Sequence, residues 1–229
     1  MSLRSLIGTL ATLLFVLVVP IALILSGLRW MALDQSLYEH GFVKYRVAES
    51  TGMSSAELSA AAQQTIAYYA DDRPITLEIR KNGQMASLYN ERELAHLVDV
   101  RTLMQFAFRV HEASLAYLVV YILAALALRV DGLRRRIAWN MLGGGAMTLL
   151  MLVGLGLSAT SDFSDLFLQF HLLSFSNDLW ILDPRTDYMI RMFPEGFWYD
   201  AVIKLATLSA TSAASLVLAA TAYLRFSRP

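Results

Sequence analysis

The chain has 229 residues, 56% of them apolar and only 17% charged, and its 19 basic and 19 acidic side chains leave no formal net charge. That balance argues against a nucleic-acid partner, which favours a basic surface. The lack of cysteine excludes disulfides, thiolate metal ligands and a thiol nucleophile. Instead, four apolar runs each approach the ~20 residues needed to cross a bilayer.

The first run, Leu6–Leu28, carries no charge between Arg4 and Arg29. It exceeds the ~7–15 residues of a secretory signal core, so residues 1–28 read as an uncleaved spanning helix, kinked at Pro20. Residues 29–90 read as a small lid. Within it, Ser54 and Glu57 have capping-box spacing ahead of a helix through about Tyr69. The alternating stretches ITLEIR and MASLY flank Lys81-Asn82-Gly83-Gln84 and predict a hairpin. A lone hairpin is marginal in water, so it must pack on the helix or on the membrane surface.

Asn90-Glu91-Arg92-Glu93 repeats the capping logic, and nothing breaks a helix before Arg129. Residues 91–129 therefore predict one long helix that starts outside and becomes the second span near Leu103. His96 then stands roughly 10 Å above that level. A basic loop follows at 130–136, then a third span at 137–161 whose Gly143-Gly144-Gly145 step allows close helix contact. Residues 162–198 form a greasy but ionisable segment suited to a membrane surface. Residues 199–229 supply the fourth span, with its apolar core at Leu205–Leu224, and a tail. The predicted fold is mainly α: a polytopic membrane protein with four transmembrane helices and a small α+β extracytoplasmic lid. Arg4, the Arg129/Arg134/Arg135/Arg136 cluster and Arg225 with Arg228 all fall on one side, which makes that side and both termini cytoplasmic. The lid and residues 162–198 then face outward.

Four histidines carry the possible chemistry. His40 has no constellation around it and reads as a surface or packing residue. His111 lies with Arg109 and Glu112 at the start of the second span, as an interfacial anchor or a head-group binder. His96 shares a helical face with Arg92 and Asp99. That face is either an ordinary surface ion network or a general base whose tautomer Asp99 fixes. His171 stands in the apolar stretch LFLQFHLLSF, either as a packing residue or with Asn177 as an oxyanion donor and Asp178 as an orienting carboxylate. Phe170, Phe175 and Trp180 belong to an aromatic belt suited to an interface and to acyl chains. No phosphate-binding glycine loop, HExxH or GxSxG motif is present.

Two blocks, NERELAHLVDVRTL (Asn90–Leu103) and FHLLSFSNDLWILDPRTDYMIRMFPEGFW (Phe170–Trp198), resemble the signatures of the bacterial lipoprotein intramolecular transacylase (Lit) family. A YxxxFxKY pattern at Tyr38–Tyr45 extends the similarity over nearly the whole chain. The resemblance implies an enzyme of the bacterial cytoplasmic membrane acting on diacylated lipoproteins. In that family an acyl chain moves from the sn-2 oxygen of the diacylglyceryl-cysteine to the α-amino group of the same cysteine, giving a lyso-form lipoprotein. By the same resemblance His96 and His171 are the catalytic pair. Arg92, Asp99, Asn177 and Asp178 are candidates to support them. Phe170, Phe175, Trp180, Arg109 and Glu112 are candidates to bind substrate. Neither cofactor nor metal is implied. Two other classes stand beside this one: a non-catalytic membrane protein that binds lipid or peptide, and a haem or metal protein using His96, His111 and His171.

Overall fold

The structure, a computed structural model, describes residues 3–71, 73–81 and 83–227. Its elements in chain order are α1 (Leu3–Ala32), α2 (Gln35–Lys44), α3 (Val47–Thr51), α4 (Ser55–Asp71), β1 (Glu78–Lys81), β2 (Gln84–Ser87), α5 (Glu91–Ala127), α6 (Leu133–Ser161), α7 (Phe163–Ser174), α8 (Tyr188–Met192) and α9 (Glu195–Phe226). Helices α1, α5, α6 and α9 are each long and apolar enough to cross a membrane. The mainly α, four-span architecture with a small sheet is therefore the observed one.

The boundaries are less faithful to hydropathy. Helix α5 has 37 residues, a rise of ~55 Å, which is longer than a hydrocarbon core of ~30 Å requires. Helix α6 begins at Leu133 and takes in Arg134, Arg135 and Arg136, which hydropathy assigns to a loop. Helix α9 begins at Glu195 directly after Pro194, well ahead of the apolar run from Leu205. Helix α1 runs through Pro20 without a break. Arg228 lies outside the described residues.

The contacts divide the chain into two compact units. One comprises the chain up to Leu28, Phe108–Leu157 and the chain from Lys204 on. Its helices touch where side chains are absent. A Cβ built on Gly144 meets Val19 Cβ at 2.5 Å, and one on Gly145 meets Val217 Cγ2 at 2.8 Å, so any larger residue forces α6 away from α1 or α9. Polar groups tie the same helices. Arg136 donates to the Gly8 carbonyl (3.1 Å) and to Thr12 Oγ1 (2.7 Å), while Asn140 donates to Tyr121 Oη (3.1 Å).

The other unit comprises Arg29–Ala107 and Ser158–Ile203. Its α4 opens with the predicted capping box: Ser54 N–H donates to Glu57 Oε2 (2.8 Å) and Glu57 N–H to Ser54 Oγ (3.3 Å). The hairpin pairs Glu78 with Ser87 and Lys81 with Gln84, leaving a two-residue turn with Gly83 at φ +85°; Asn82 lies outside the described residues. Ile79 and Leu88 enter a core built from Tyr38 and Phe42 of α2, Tyr69 of α4, Leu97 of α5, and Met192, Phe193 and Phe197. The short helices α2, α3 and α8 were not foreshadowed by a strong apolar period. Helix α2 instead starts on an Asp34 cap, whose carboxylate accepts the Ser36 N–H at 3.1 Å.

Candidate active site

Two elements of the second unit bring the chemistry together: the first turns of α5, and α7 with the turn that follows it. His96 follows the capping box of α5 by one turn. Asn90 N–H donates to Glu93 Oε2 (2.8 Å) and Glu93 N–H to Asn90 Oδ1 (2.9 Å), which starts the helix at a fixed register. His171 occupies the last turn of α7, whose first turn is fixed by Asp162 accepting the Asp165 N–H at 3.0 Å. The two imidazoles face each other with ring centroids 6.2 Å apart, both buried. A reacting group hydrogen-bonded to both at ~2.9 Å per bond fits that separation.

The two rings are held differently. His171 Nδ1 lies 2.7 Å from the Phe167 carbonyl. A carbonyl only accepts, so Nδ1 carries the proton and Nε2 keeps its lone pair in the neutral ring. His96 Nδ1, by contrast, is buried with no hydrogen-bond partner among the described residues. Burial holds its imidazole below the ordinary value, at about 4; His171 acts in the same direction and Asp99 opposes it. His96 stands in the second turn of α5.

Aromatic rings enclose the pair. Phe167, Trp180, Phe170 and Phe175 lie 4.4, 4.9, 5.3 and 5.7 Å from His171, centroid to centroid. Phe175 also stands edge-on to His96 at 5.1 Å, so that it flanks both imidazoles from one side. Phe170, Phe175 and Trp180 are thus gathered where the sequence placed substrate-binding groups. Phe167, which holds His171 through both its carbonyl and its ring, carries no motif that marks it in the sequence.

The polar neighbours mostly join the two elements. Asn177 Nδ2 donates to Asp99 Oδ2 (2.9 Å), and Asn177 Oδ1 accepts the Leu179 N–H (3.0 Å). Asp99 therefore engages Asn177 and leaves His96 Nδ1 unbonded, contrary to the expectation that it fixes that ring. Arg92 donates to the Asp178 carbonyl, with the Asp178 carboxylate 3.9 Å from the guanidinium. The Asp178 side chain is 80% exposed, so it does not orient a histidine. Arg109 pairs with Glu112 at 2.9 Å, and the neighbouring His111 meets Ser26 Oγ at 2.8 Å. These three belong to the first unit and are absent from the group around His96 and His171. His40 is exposed. Among the described residues no group of three or more His, Asp and Glu side chains is placed to hold a metal.

A second set of polar groups, of which the sequence marked only Asn90 and Glu93, as a helix cap, fastens α5 to the chain beyond the site. Buried Glu93 accepts the Met189 N–H at 2.6 Å through Oε1. Buried Asp187 accepts Asn90 Nδ2 at 2.9 Å and the Asp183 N–H at 2.8 Å. Both carboxylates have multiple N–H donors, which is what makes a buried carboxylate tolerable.

The family model described as "Lipoprotein intramolecular transacylase Lit" matches residues 13–198. An uncharacterised protein of Aquifex aeolicus (strain VF5) is 28% identical over 131 residues, which cover 56% of this chain. The matched stretch covers 54%, about half, of that relative's length. Among solved structures, the membrane-integral lipoprotein intramolecular transacylase Lit from Bacillus cereus superposes with a TM-score of 0.80 at 20% identity, over 96% of this chain and 97% of that one. A histidine-to-arginine variant of the same protein gives a TM-score of 0.74 at 20% identity, over 98% of this chain and 96% of that one.

Proposed function

This chain belongs to the lipoprotein intramolecular transacylase family, and we propose that it moves the sn-2 acyl chain of a diacylglyceryl-cysteine to the α-amino group of the same cysteine by histidine acid–base catalysis. The observation that carries the reading is the buried, unlinked pair His96 and His171, 6.2 Å apart within an aromatic enclosure. An α-amino group has a reference pKa of ~8, so its free-base form is accessible near neutrality. As its nitrogen attacks the ester carbonyl, the C–N bond forms and a proton passes to His171 Nε2, whose lone pair the Phe167 carbonyl keeps available. The imidazolium so formed retains its Nδ1–H bond to Phe167, a supporting role that a carboxylate fills in other histidine bases.

The tetrahedral oxyanion needs a donor. His96, kept neutral by burial, carries one N–H for that purpose, as a neutral imidazole can serve as an electrophile beside a carbonyl. Collapse breaks the ester C–O bond, and His171 returns its proton to the departing glyceryl oxygen. An ester becomes an amide without water, ATP or acyl-CoA, and because both reactants sit on one molecule, orientation supplies much of the rate. The aromatic rings exclude water, which would otherwise hydrolyse the ester. We place the two histidines on the outer side of a bacterial cytoplasmic membrane with both termini inside, a reading supported by the one-sided arginines.

Mass spectrometry of lipoprotein N-termini from cells with and without the protein tests the reaction. The expected product carries one acyl group on nitrogen with the total acyl count unchanged, since the transfer is internal; fragment ions locate the chain. An unchanged fragment pattern refutes the assignment. His96→Ala and His171→Ala are expected to abolish conversion while the proteins remain folded, and full conversion by either removes that histidine from the mechanism.

A further inference from the structure

At the α5–α6 turn we propose a binding site for the phosphate-bearing headgroup of an anionic phospholipid. The first unit has an open cleft of about 480 Å³ there, lined by Arg129, Arg134 and Arg135 together with apolar and aromatic groups including Leu126, Leu133 and Tyr223. A phospholipid presents that same division, with an anionic phosphate joined to the start of its acyl chains. Nearby arginines have different uses. Arg136 is committed to α1 through Gly8 and Thr12. Arg129, Arg134 and Arg135 are exposed, their guanidinium groups make no ion pair or side-chain hydrogen bond among the described residues, and the adjacent Asp131 pairs with none of them.

The backbone adds a second reason. Helix α5 ends with Val130 N–H donating to the Ala125 carbonyl (3.1 Å) and Arg129 N–H to the Leu126 carbonyl (3.0 Å), a motif whose left-handed residue is usually glycine. Here that residue is Arg129, at φ +49°. An L side chain is strained in that region, and the residue held there is one that lines the cleft, beside the last turn of α5. Basic pockets between spanning helices at that depth are suited to anionic headgroups, and guanidinium groups match phosphate oxygens in pairs.

The test uses the full chain in neutral detergent, titrated with phosphatidylglycerol, phosphatidylcholine or inorganic phosphate, with bound lipid counted by native mass spectrometry and thermal unfolding followed in parallel. Phosphatidylglycerol is expected to bind at least about tenfold more tightly than phosphatidylcholine, and a triple Arg129→Gln, Arg134→Gln, Arg135→Gln variant to lose that preference. Arg135→Gln alone, an exposed change that leaves the turn intact, is expected to lose part of it. Lipoprotein conversion by both variants is expected to match the parent, which separates this site from the histidine pair. Equal affinity for the two lipids, an unchanged preference in the triple variant, or equally tight binding of inorganic phosphate overturns the proposal.

Discussion

Glu93→Gln tests the idea that the site is positioned by a buried carboxylate one turn before His96. In the native chain Oε2 accepts the Asn90 N–H at 2.8 Å and Oε1 accepts the Met189 N–H at 2.6 Å, at a residue 1% exposed. Burial alone disfavours the ionised form, and the two N–H donors act against that. Glutamine fits the same volume but keeps a single acceptor. One N–H then faces an amide NH₂, and the other bond falls from a charge-assisted ~1.5–3 kcal/mol to a neutral ~1 kcal/mol. Adding the unpaired donor gives a loss of about 2–4 kcal/mol. At ~2–4 °C per kcal/mol for a chain of this size, Tm falls by roughly 5–15 °C. Conversion also falls, on the order of 10²-fold, because α5 no longer holds His96 in register with α7. Thermal unfolding in detergent, read by tryptophan fluorescence, and initial rates on a synthetic diacylglyceryl-cysteine peptide measure both. A Tm within about 2 °C of the parent, together with full conversion, refutes the positioning role.

Three further outcomes follow from the same geometry. Gly144→Val drives a Cβ to 2.5 Å from Val19 Cβ; it is expected to destabilise the spanning helices by about 1–3 kcal/mol, read as a lowered Tm, and an unchanged Tm removes the close-contact reading. Because the folded-state pKa of His96 lies near 4, below the unfolded ~6.5, the native chain binds fewer protons between those values. Its contribution to stability is therefore complete above pH ~6.5 and is lost as pH falls towards 4. His96→Gln lacks that loss, so its Tm difference from the parent should shift in its favour between pH 7 and 4, and a pH-independent difference contradicts a buried neutral imidazole. Phe175→Ala removes a ring that flanks both imidazoles and is expected to raise the ratio of ester hydrolysis to transfer, measured as free fatty acid released; an unchanged ratio assigns water exclusion elsewhere.

The spans and the capped helix starts were legible because each depends on local chemistry. Twenty apolar residues are costly to leave in water, and a Ser or Asn followed at the third position by Glu satisfies backbone donors within one turn. Both capping boxes appear with the predicted partners. Hydropathy misplaced the starts of α6 and α9 because it marks where a helix becomes greasy, while the backbone continues through Arg134–Arg136 and from Glu195 for its own hydrogen bonds. Helices α2, α3 and α8 were invisible for a related reason. They are short, and their stability comes from Tyr38, Phe42, Val47, Met189 and Met192 packing into a core assembled from distant parts of the chain.

The candidate site divides along the same line. His96 was singled out by Arg92 and Asp99 on its helical face, and it was paired with His171 by the family resemblance; the structure brings the two rings together. What the sequence could not assign was which polar neighbours would touch the histidines. Spacing on α5 puts Arg92 and Asp99 on the face of His96, but a helix has no means of indicating whether those side chains turn to the ring or to the chain opposite. They turn to the chain opposite: Arg92 reaches the Asp178 carbonyl and Asp99 the Asn177 amide. The histidines are consequently left to a main-chain carbonyl and to rings: the Phe167 carbonyl fixes the tautomer of His171, and burial, with no carboxylate bonded to Nδ1, keeps His96 neutral.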